Sequence, residues 1–163
     1  MKTIWAPWRN IYIRGNKEKE CFFCRMLKEK KDSENYIIYR GKYNFVVLNK
    51  YPYSPGHVMV VPYAHISSLS ELRDDAVLEF TRLIDYSMER LKEAFEAQGF
   101  NIGMNIGKAS GAGVEDHVHI HVVPRWIGDA NFMTVIGETR VISESLEETF
   151  HKLKEIIEKK FLK

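Results

Sequence analysis

The stretch His117-Val118-His119-Ile120-His121-Val122-Val123 decides how the rest of this 163-residue chain is interpreted. Its strict alternation of histidine with β-branched residues predicts a strand, in which successive side chains point to opposite faces. One face would carry the branched residues into an apolar layer, and the exposed opposite face would carry three imidazoles about 6.6 Å apart. Such crowding predicts a site that uses the imidazoles, whereas the alternatives are a histidine-rich metal tract or a chance exposed strand.

A glycine-rich loop leads directly into this strand. Gly107, Gly111 and Gly113 permit backbone conformations in which consecutive N–H groups converge on an anion. Ser110 adds a hydroxyl donor, and Lys108 adds a positive charge. A glycine-rich loop by itself is usually a plain turn, but its junction with three histidines predicts a phosphate site that faces a nucleophile.

The chemistry of imidazole assigns roles within the histidine strand. A neutral imidazole has one N–H group and one nitrogen with a lone pair. If a main-chain carbonyl holds the Nδ1–H of His119, its Nε2 is free to attack phosphorus and form a covalent intermediate. His121 lies further along the same face, where as an imidazolium it would stabilise charge or donate a proton to the leaving group.

Two cysteines, Cys21 and Cys24, form a C-x-x-C pair. A reducing compartment disfavours a disulfide, and no βαβ pattern surrounds the pair, so metal binding is favoured over thioredoxin-like redox chemistry. With His65 and His117 they supply four nitrogen and sulfur ligands, a set that suits a closed, structural, tetrahedral zinc site. The alternative is a pair of buried cysteines without a metal.

The spacing of apolar residues predicts the remaining elements. Strands are expected at 36–40, 45–48, 57–62, 100–106 and 117–123, the last of them ended by Pro124. Helices are expected at 22–31, 70–98 and 146–161, with Gly99 just past the end of the long one. Strands in short succession beside one long and one terminal helix are typical of an α+β fold with an antiparallel sheet.

Composition places the chain among single-domain globular proteins. Its net charge of +2 is too mild for a duplex-binding protein, so no nucleic-acid partner is expected. No run approaches the roughly 18 apolar residues of a membrane span, and residues 1–10 lack the apolar core of a signal peptide. We therefore expect no membrane association and a cytoplasmic location. The single domain divides into an N-terminal segment (1–30), a catalytic core (36–125) and a C-terminal extension with its helix (126–163).

The H-x-H-x-H-x-x pattern at 117–123, with hydrophobic residues between the histidines, resembles the signature of the histidine-triad (HIT) superfamily of nucleotide hydrolases and transferases. The resemblance covers most of the chain. It implies a HIT-like α+β fold in which a five-stranded antiparallel sheet carries one long helix and a C-terminal helix. It also implies a homodimer, a nucleotide or dinucleoside polyphosphate substrate, and a nucleotidyl-histidine intermediate on His119, with His117 and His121 completing the catalytic triad.

The resemblance further implies which residues hold the ligands. The segment that starts at Asn49 and ends at Val61 would hold the nucleoside, and Asn105 would lie near the α-phosphate. His57 is similar to a histidine that contacts substrate phosphates. In zinc-containing branches the first triad histidine and the histidine of a P-x-x-H run bind the metal, here His117 and His65. The residues expected to bind the nucleotide and its phosphates are Asn49, His57, Asn105, Lys108, Ser110, Gly111 and Gly113.

Three more segments resemble the subgroup that degrades diadenosine tetraphosphate by phosphorolysis: W-A-P-W-R at 5–9, C-F-F-C at 21–24 and W-I-G-D-A-N-F-M at 126–133. The third triad histidine instead favours water, because relatives that keep it mostly hydrolyse. Phosphate would win only in a cationic pocket that excludes water, to which Lys108 and Arg125 could contribute. We expect phosphorolysis. The alternatives are a dinucleoside polyphosphate hydrolase, a nucleoside phosphoramidase, and a nucleotide-binding protein without significant turnover.

Overall fold

The computed structural model describes residues 20–130 and 142–161. The segments W-A-P-W-R at 5–9 and N-F-M at 131–133 lie outside the described residues. The strands are β1 (Ile37–Arg40), β2 (Asn44–Leu48), β3 (Val58–Pro62), β4 (Gly99–Gly103) and β5 (Ile120–Arg125). The α-helices of the described part are α1 (Phe22–Glu29), α2 (Asp74–Phe95) and α3 (Leu146–Phe161), and 3-10 helices cover Leu69–Glu71 and Lys108–Ser110.

Within the described residues, the five strands form one antiparallel sheet in the order β1-β2-β3-β5-β4. The prediction of an α+β fold with five antiparallel strands, one long helix and a C-terminal helix is confirmed. No helix in this part of the chain is long and apolar enough to cross a membrane.

Different helices pack on the two faces of the sheet. One face packs against α2 and α3 in a core built by Val46, Leu48, Val58, Val60, Val122, Phe80, Leu91 and Leu153. The other face packs against α1 and forms a second core with it. The residues of this core are Ile37, Phe45, Val47, Met59, Val61, Phe23 and Met26. Residues directly opposite each other on paired strands share a face, so the pairing of Met59 with His121 places His121 on the α1 face. The predicted alternation along β5 therefore holds at Ile120, His121 and Val122.

The structure corrects the bounds of the histidine strand. β5 begins at Ile120, so His117 and His119 lie just before it. The strand also continues through Pro124, which lies beyond the last residue of β5 that pairs with β3 and therefore removes no hydrogen bond from that ladder. His117 and His119 are buried rather than exposed, because Phe23 of α1 packs against both rings: His117 is 0% and His119 6% exposed, whereas His121 is half-buried.

The long helix is also shorter than predicted at both ends. Ser68 caps a separate 3-10 turn through reciprocal hydrogen bonds with Glu71, and α2 begins only at Asp74. At the other end Glu96, rather than Gly99, adopts the left-handed conformation, and its N–H bonds to the carbonyl of Lys92. Gly99 instead begins β4, which ends at Gly103, short of the predicted end at 106, because its pairing with β5 stops at the pair of Gly103 and His121.

Candidate active site

His119 has a fixed orientation and a free ring nitrogen. Its Nδ1 lies 2.9 Å from the main-chain oxygen of His117, and because a carbonyl only accepts, the proton is on Nδ1. The lone pair is therefore on Nε2. Burial lowers the pKa of His119, which keeps the ring neutral and nucleophilic at neutral pH.

A chain of hydrogen bonds fixes the proton on His121. The main-chain N–H of Tyr53 donates to Nδ1 of His57 at 3.1 Å, so the proton of His57 is on Nε2. That Nε2–H donates to Nδ1 of His121 at 3.0 Å, which leaves the proton of His121 on Nε2. The ring of His121 lies 5.0 Å from the ring of His119. His121 thus presents a neutral N–H donor next to the candidate nucleophile.

The rings of His57 and His121 both resist protonation. Burial, followed by repulsion from His121 and His119, lowers the pKa of His57 to about 3. Burial and repulsion from His119 lower the pKa of His121 to about 4. The imidazolium expected at His121 is therefore absent from the free protein at neutral pH, and a hydrogen bond from its neutral Nε2–H replaces it.

His57 is held by the protein rather than presented to a ligand. It is 1% exposed, and Tyr53 and His121 occupy its two ring nitrogens. The prediction that His57 contacts a phosphate directly is not supported by this geometry. Its observed contacts suit a residue that orients His121.

We expect acid to destabilise the protein through His57. An unfolded histidine has a pKa near 6.5. Above that value neither state is protonated, so His57 has no effect on stability. Between about pH 6.5 and its folded pKa of about 3, the unfolded chain binds a proton that the folded chain does not, and the free energy of unfolding falls. At pH 5 this linkage costs about 2 kcal/mol.

The variant His57→Gln isolates this effect, because a neutral amide keeps an acceptor and a donor but does not titrate. Urea unfolding at pH 7 and pH 5 should show the unchanged protein losing about 2 kcal/mol more than the variant between the two values. Other groups titrate in both proteins and cancel in the comparison. Equal losses in the two proteins would contradict the prediction.

Four predicted metal ligands converge although they are far apart in sequence. Cys21, Cys24, His65 and His117 place their ligand atoms within 4.8 Å of one another. Nδ1 of His117 lies 3.4 Å from Sγ of Cys21, 3.7 Å from Sγ of Cys24 and 3.3 Å from Nδ1 of His65. Sγ of Cys24 is 3.4 Å from Nδ1 of His65. Both cysteines are free thiols.

These distances fit a tetrahedral zinc ion. Zn–S bonds near 2.3 Å and Zn–N bonds near 2.0–2.1 Å require ligand atoms about 3.3–3.8 Å apart. The Nε2–H of His117 donates to the carbonyl of Pro62 at 2.8 Å, so its lone pair is on Nδ1, the nitrogen that faces the cysteines. Four protein ligands leave no open position for water. The ring of His117 thus belongs to this cluster, and its contribution next to His119 is the main-chain carbonyl.

The glycine-rich loop connects the end of β4, which lies opposite His121, to His117. Gly107 and Gly111 have φ values of 74° and 78°, which favour glycine, whereas Gly113 is not among the positive-φ glycines of the described chain. Lys108 is exposed. Ser110 is exposed as well, and its hydroxyl donates to the carbonyl of Gly107 at 2.7 Å, so its predicted role as a phosphate donor would require the hydroxyl to rotate.

The remaining predicted binding residues are Asn105 and Asn49. Asn105, which is half-buried, follows β4 by two residues. Oδ1 of Asn49 accepts from the N–H of Tyr51 at 2.9 Å, and its Nδ2 lies 3.4 Å from Nδ1 of His57. Asn49 therefore shapes the turn that supports His57. The nucleoside-binding roles of Asn49 and Asn105 stay predictions.

Arg125 does not serve as a free phosphate-binding cation. Its guanidinium donates to both carboxylate oxygens of Asp129, at 2.5 and 2.6 Å, and to Oδ1 of Asn101 at 2.6 Å. Asp129 also accepts from the N–H of Trp126. The W-I-G-D stretch is thus a structural turn, and Lys108 stays as the cation of the predicted pair.

Sequence reasoning missed two residues that contact the histidines. The ring of Phe23 lies 5.2 Å from His117 and 5.0 Å from His119. The main-chain N–H of Tyr53 sets the tautomer of His57. Phe23 lies within the C-F-F-C motif, but its contact depends on where α1 packs. The contact of Tyr53 is made by its main-chain N–H, so the type of side chain at this position gives no sign of it.

Comparisons with known proteins find one family model and several relatives. The HIT domain model matches residues 30–126. An AP-4-A phosphorylase of Mycobacterium tuberculosis is 42% identical over 157 residues, which cover 91% of this chain and 80% of that protein. A bis(5'-nucleosyl)-tetraphosphatase (asymmetrical) of Schizosaccharomyces pombe is 30% identical over 89 residues, or 55% of this chain and 48% of that protein.

A crystal structure of a Zn-bound histidine triad family protein from Mycobacterium smegmatis shares the fold. It superposes with a TM-score of 0.71 at 26% sequence identity. The match covers 88% of this chain and 96% of the other.

Proposed function

The chain is an enzyme of the HIT domain family, and we propose that it transfers a nucleotidyl group through a covalent bond to Nε2 of His119. The single observation that carries the proposal is the 2.9 Å hydrogen bond between Nδ1 of His119 and the carbonyl of His117. It places the proton on Nδ1 and leaves the lone pair on the opposite nitrogen. A nucleotide-binding protein without turnover has no use for such an arrangement.

The first step displaces the leaving group. Nε2 of His119 attacks the α-phosphorus, a P–N bond forms, and the P–O bond to the remaining phosphates breaks. From diadenosine tetraphosphate the leaving group is ATP, which departs as an anion and needs no proton. Nε2–H of His121 donates a hydrogen bond to the departing oxygen, and His57 holds that donor in place.

The second step transfers the nucleotidyl group to an acceptor. An oxygen of inorganic phosphate attacks the same phosphorus, the P–N bond breaks, and the electron pair returns to Nε2 of His119. The product is ADP. If water is the acceptor, the product is AMP and a proton must also be removed from the water.

We propose phosphate as the acceptor, in line with the relative named AP-4-A phosphorylase. An ionised phosphate oxygen attacks without losing a proton, whereas water needs a general base. His121 is a poor base, because its Nδ1 is bonded to His57, its Nε2 carries a proton, and its pKa is lowered to about 4. Lys108 is exposed in the loop and is the candidate cation for the incoming phosphate.

Product analysis tests this proposal. With diadenosine tetraphosphate and millimolar phosphate, we expect ATP plus ADP in equal amounts. With sulfate at the same ionic strength, which controls for salt effects, ADP should not form. ATP plus AMP at a rate indifferent to phosphate would contradict phosphorolysis and leave the step on His119 intact.

Hydrolysis is the second candidate, because the asymmetrical tetraphosphatase of Schizosaccharomyces pombe matches 55% of the chain at 30% identity. The same product analysis distinguishes the two reactions. Release of AMP from an adenosine phosphoramidate, without consumption of phosphate, would identify the third reaction, that of a phosphoramidase.

We also propose that Cys21, Cys24, His65 and His117 hold one structural zinc ion. The support is the convergence of the four ligand atoms within 4.8 Å of one another and the Zn-bound family member of similar fold. The ion would join α1 and the segment after β3 to the start of the histidine segment. It would take no direct part in the reaction.

The homodimer and the cytoplasmic location stay predictions. Among the described strands, β4 pairs with β5 alone, so its other edge is free to meet a second copy. Ile102 on that strand is 44% exposed, which suits burial in such an interface. A reducing cytoplasm suits the free thiols of the cysteine pair.

A further inference from the structure

The aromatic ring of Phe23 lies between the metal-ligand cluster and the candidate nucleophile. It is 1% exposed, and its centroid is 5.2 Å from the ring of His117 and 5.0 Å from the ring of His119. The ring of His121 lies 5.0 Å from that of His119 as well. Among the described residues, His119 thus has two ring neighbours in addition to its one hydrogen bond to a main-chain carbonyl.

One hydrogen bond does not by itself fix an imidazole. The bond at Nδ1 leaves the ring free to pivot about the N–H···O direction, and a pivot moves Nε2 away from the line of attack. Contact with neighbouring rings removes that freedom, because buried side chains pack at close to crystal density. A misplacement of about 1 Å can cost up to about 100-fold in rate.

The position of Phe23 is fixed by the two cysteines that flank it in sequence and by its packing against the sheet. It lies between Cys21 and Cys24 in sequence, and its ring packs against Phe45 of β2 at 6.4 Å. The helix α1 that carries it has only eight residues, and its N-cap residue Cys21 makes no side-chain capping hydrogen bond, so it is not stable in isolation. Packing and the cysteine ligands therefore decide where the ring lies.

We propose that Phe23 is a positioning residue for the nucleophile, whose ring holds the imidazole of His119 in the orientation for attack on phosphorus. This inference rests on the proposed function of His119. Phe23 touches no reacting atom. Its effect is on the rate at which the nucleotidyl-histidine bond forms, and not on the affinity for the nucleotide.

The test compares Phe23→Leu with Phe22→Leu. Phe22 is a matched control, because it belongs to the same C-F-F-C motif and contacts Phe23, but its ring is not among those near the histidines. In single-turnover experiments, Phe23→Leu should slow formation of the covalent adduct by about 10- to 100-fold. Its KM should stay within about threefold of the starting value, and Phe22→Leu should be close to the unchanged protein.

Two further measurements separate positioning from other causes. The metal content of both variants should equal that of the unchanged protein. Proton–nitrogen correlation spectra of the His119 ring should show one sharp Nδ1-protonated form in the unchanged protein and a broadened or mixed signal in Phe23→Leu. If the unchanged protein forms no adduct, the proposed function fails, and the spectra still decide whether Phe23 orders the ring.

Three results would overturn the inference. The first is an unchanged rate of adduct formation in Phe23→Leu together with an unchanged His119 spectrum. The second is a rate loss that occurs only with loss of the metal, which would place the effect in the cluster. The third is an equal loss in Phe22→Leu, which would indicate general damage to α1.

Discussion

Replacing His119 with alanine should reduce turnover by at least about 10⁴-fold, because removal of a covalent nucleophile leaves only binding and charge stabilisation to assist the reaction. The ring is 6% exposed, so alanine also leaves a cavity beside Phe23. His119→Gln fills more of that space without supplying a nucleophilic nitrogen, and it should be equally inactive. Circular dichroism and thermal unfolding should show that both variants fold.

Mass spectrometry of the acid-quenched reaction gives the direct test. The unchanged protein should carry one nucleoside monophosphate, and both His119 variants should carry none. His151→Ala is the matched control, because this histidine is exposed on α3 and should not affect the adduct or the rate. Full activity in His119→Ala would contradict the mechanism.

Replacing Cys24 with serine should abolish tight metal binding. Elemental analysis of protein purified without chelators should give about one zinc per chain, and Cys24→Ser should give close to none. Loss of one of four ligands should weaken binding by at least about 100-fold, more than is typical for loss of an outer-shell partner. Sγ of Cys24 lies within 3.7 Å of both histidine nitrogens of the cluster, so serine would leave three ligands and an open position.

The same variant should also lower the unfolding temperature. The ligands come from α1 and the residue before it, from the segment after β3 and from the segment just before β5, so the ion would cross-link regions distant in sequence. His151→Ala, which removes a histidine outside the cluster, should change neither metal content nor unfolding temperature. Metal content unchanged by Cys24→Ser would remove this ligand set.

Periodicity sufficed to predict the α+β class, because strand and helix differ in how often side chains return to one face. The segments that became β2, β3 and α3 were predicted to within a residue at each end. The predictions failed where pairing partners decide the ends of strands. β5 begins at Ile120 because its pairing with β3 starts there and its pairing with β4 starts at His121, and no local property of His117 or His119 indicates this.

The candidate site also combines features that the sequence predicts with features that only the fold determines. Residue types sufficed to predict the cluster of two cysteines and two histidines that converges in the structure, since these are the side chains that zinc prefers. The role of Arg125 could not be predicted, because only the folded chain brings Asp129 and Asn101 within hydrogen-bonding distance of its guanidinium.

The sequence by itself determined the family, the identity of His119 as the candidate nucleophile, and the ligand types of the metal cluster, because these follow from which functional groups are present and how they are spaced. The tertiary structure alone decided how those groups are oriented and protonated. The carbonyl of His117 frees Nε2 of His119, the N–H of Tyr53 directs the protons of two further histidines, and burial keeps the rings neutral. Main-chain donors reach their partners, and solvent is excluded, only once distant segments have packed together. The residue types alone therefore do not reveal these orientations and protonation states.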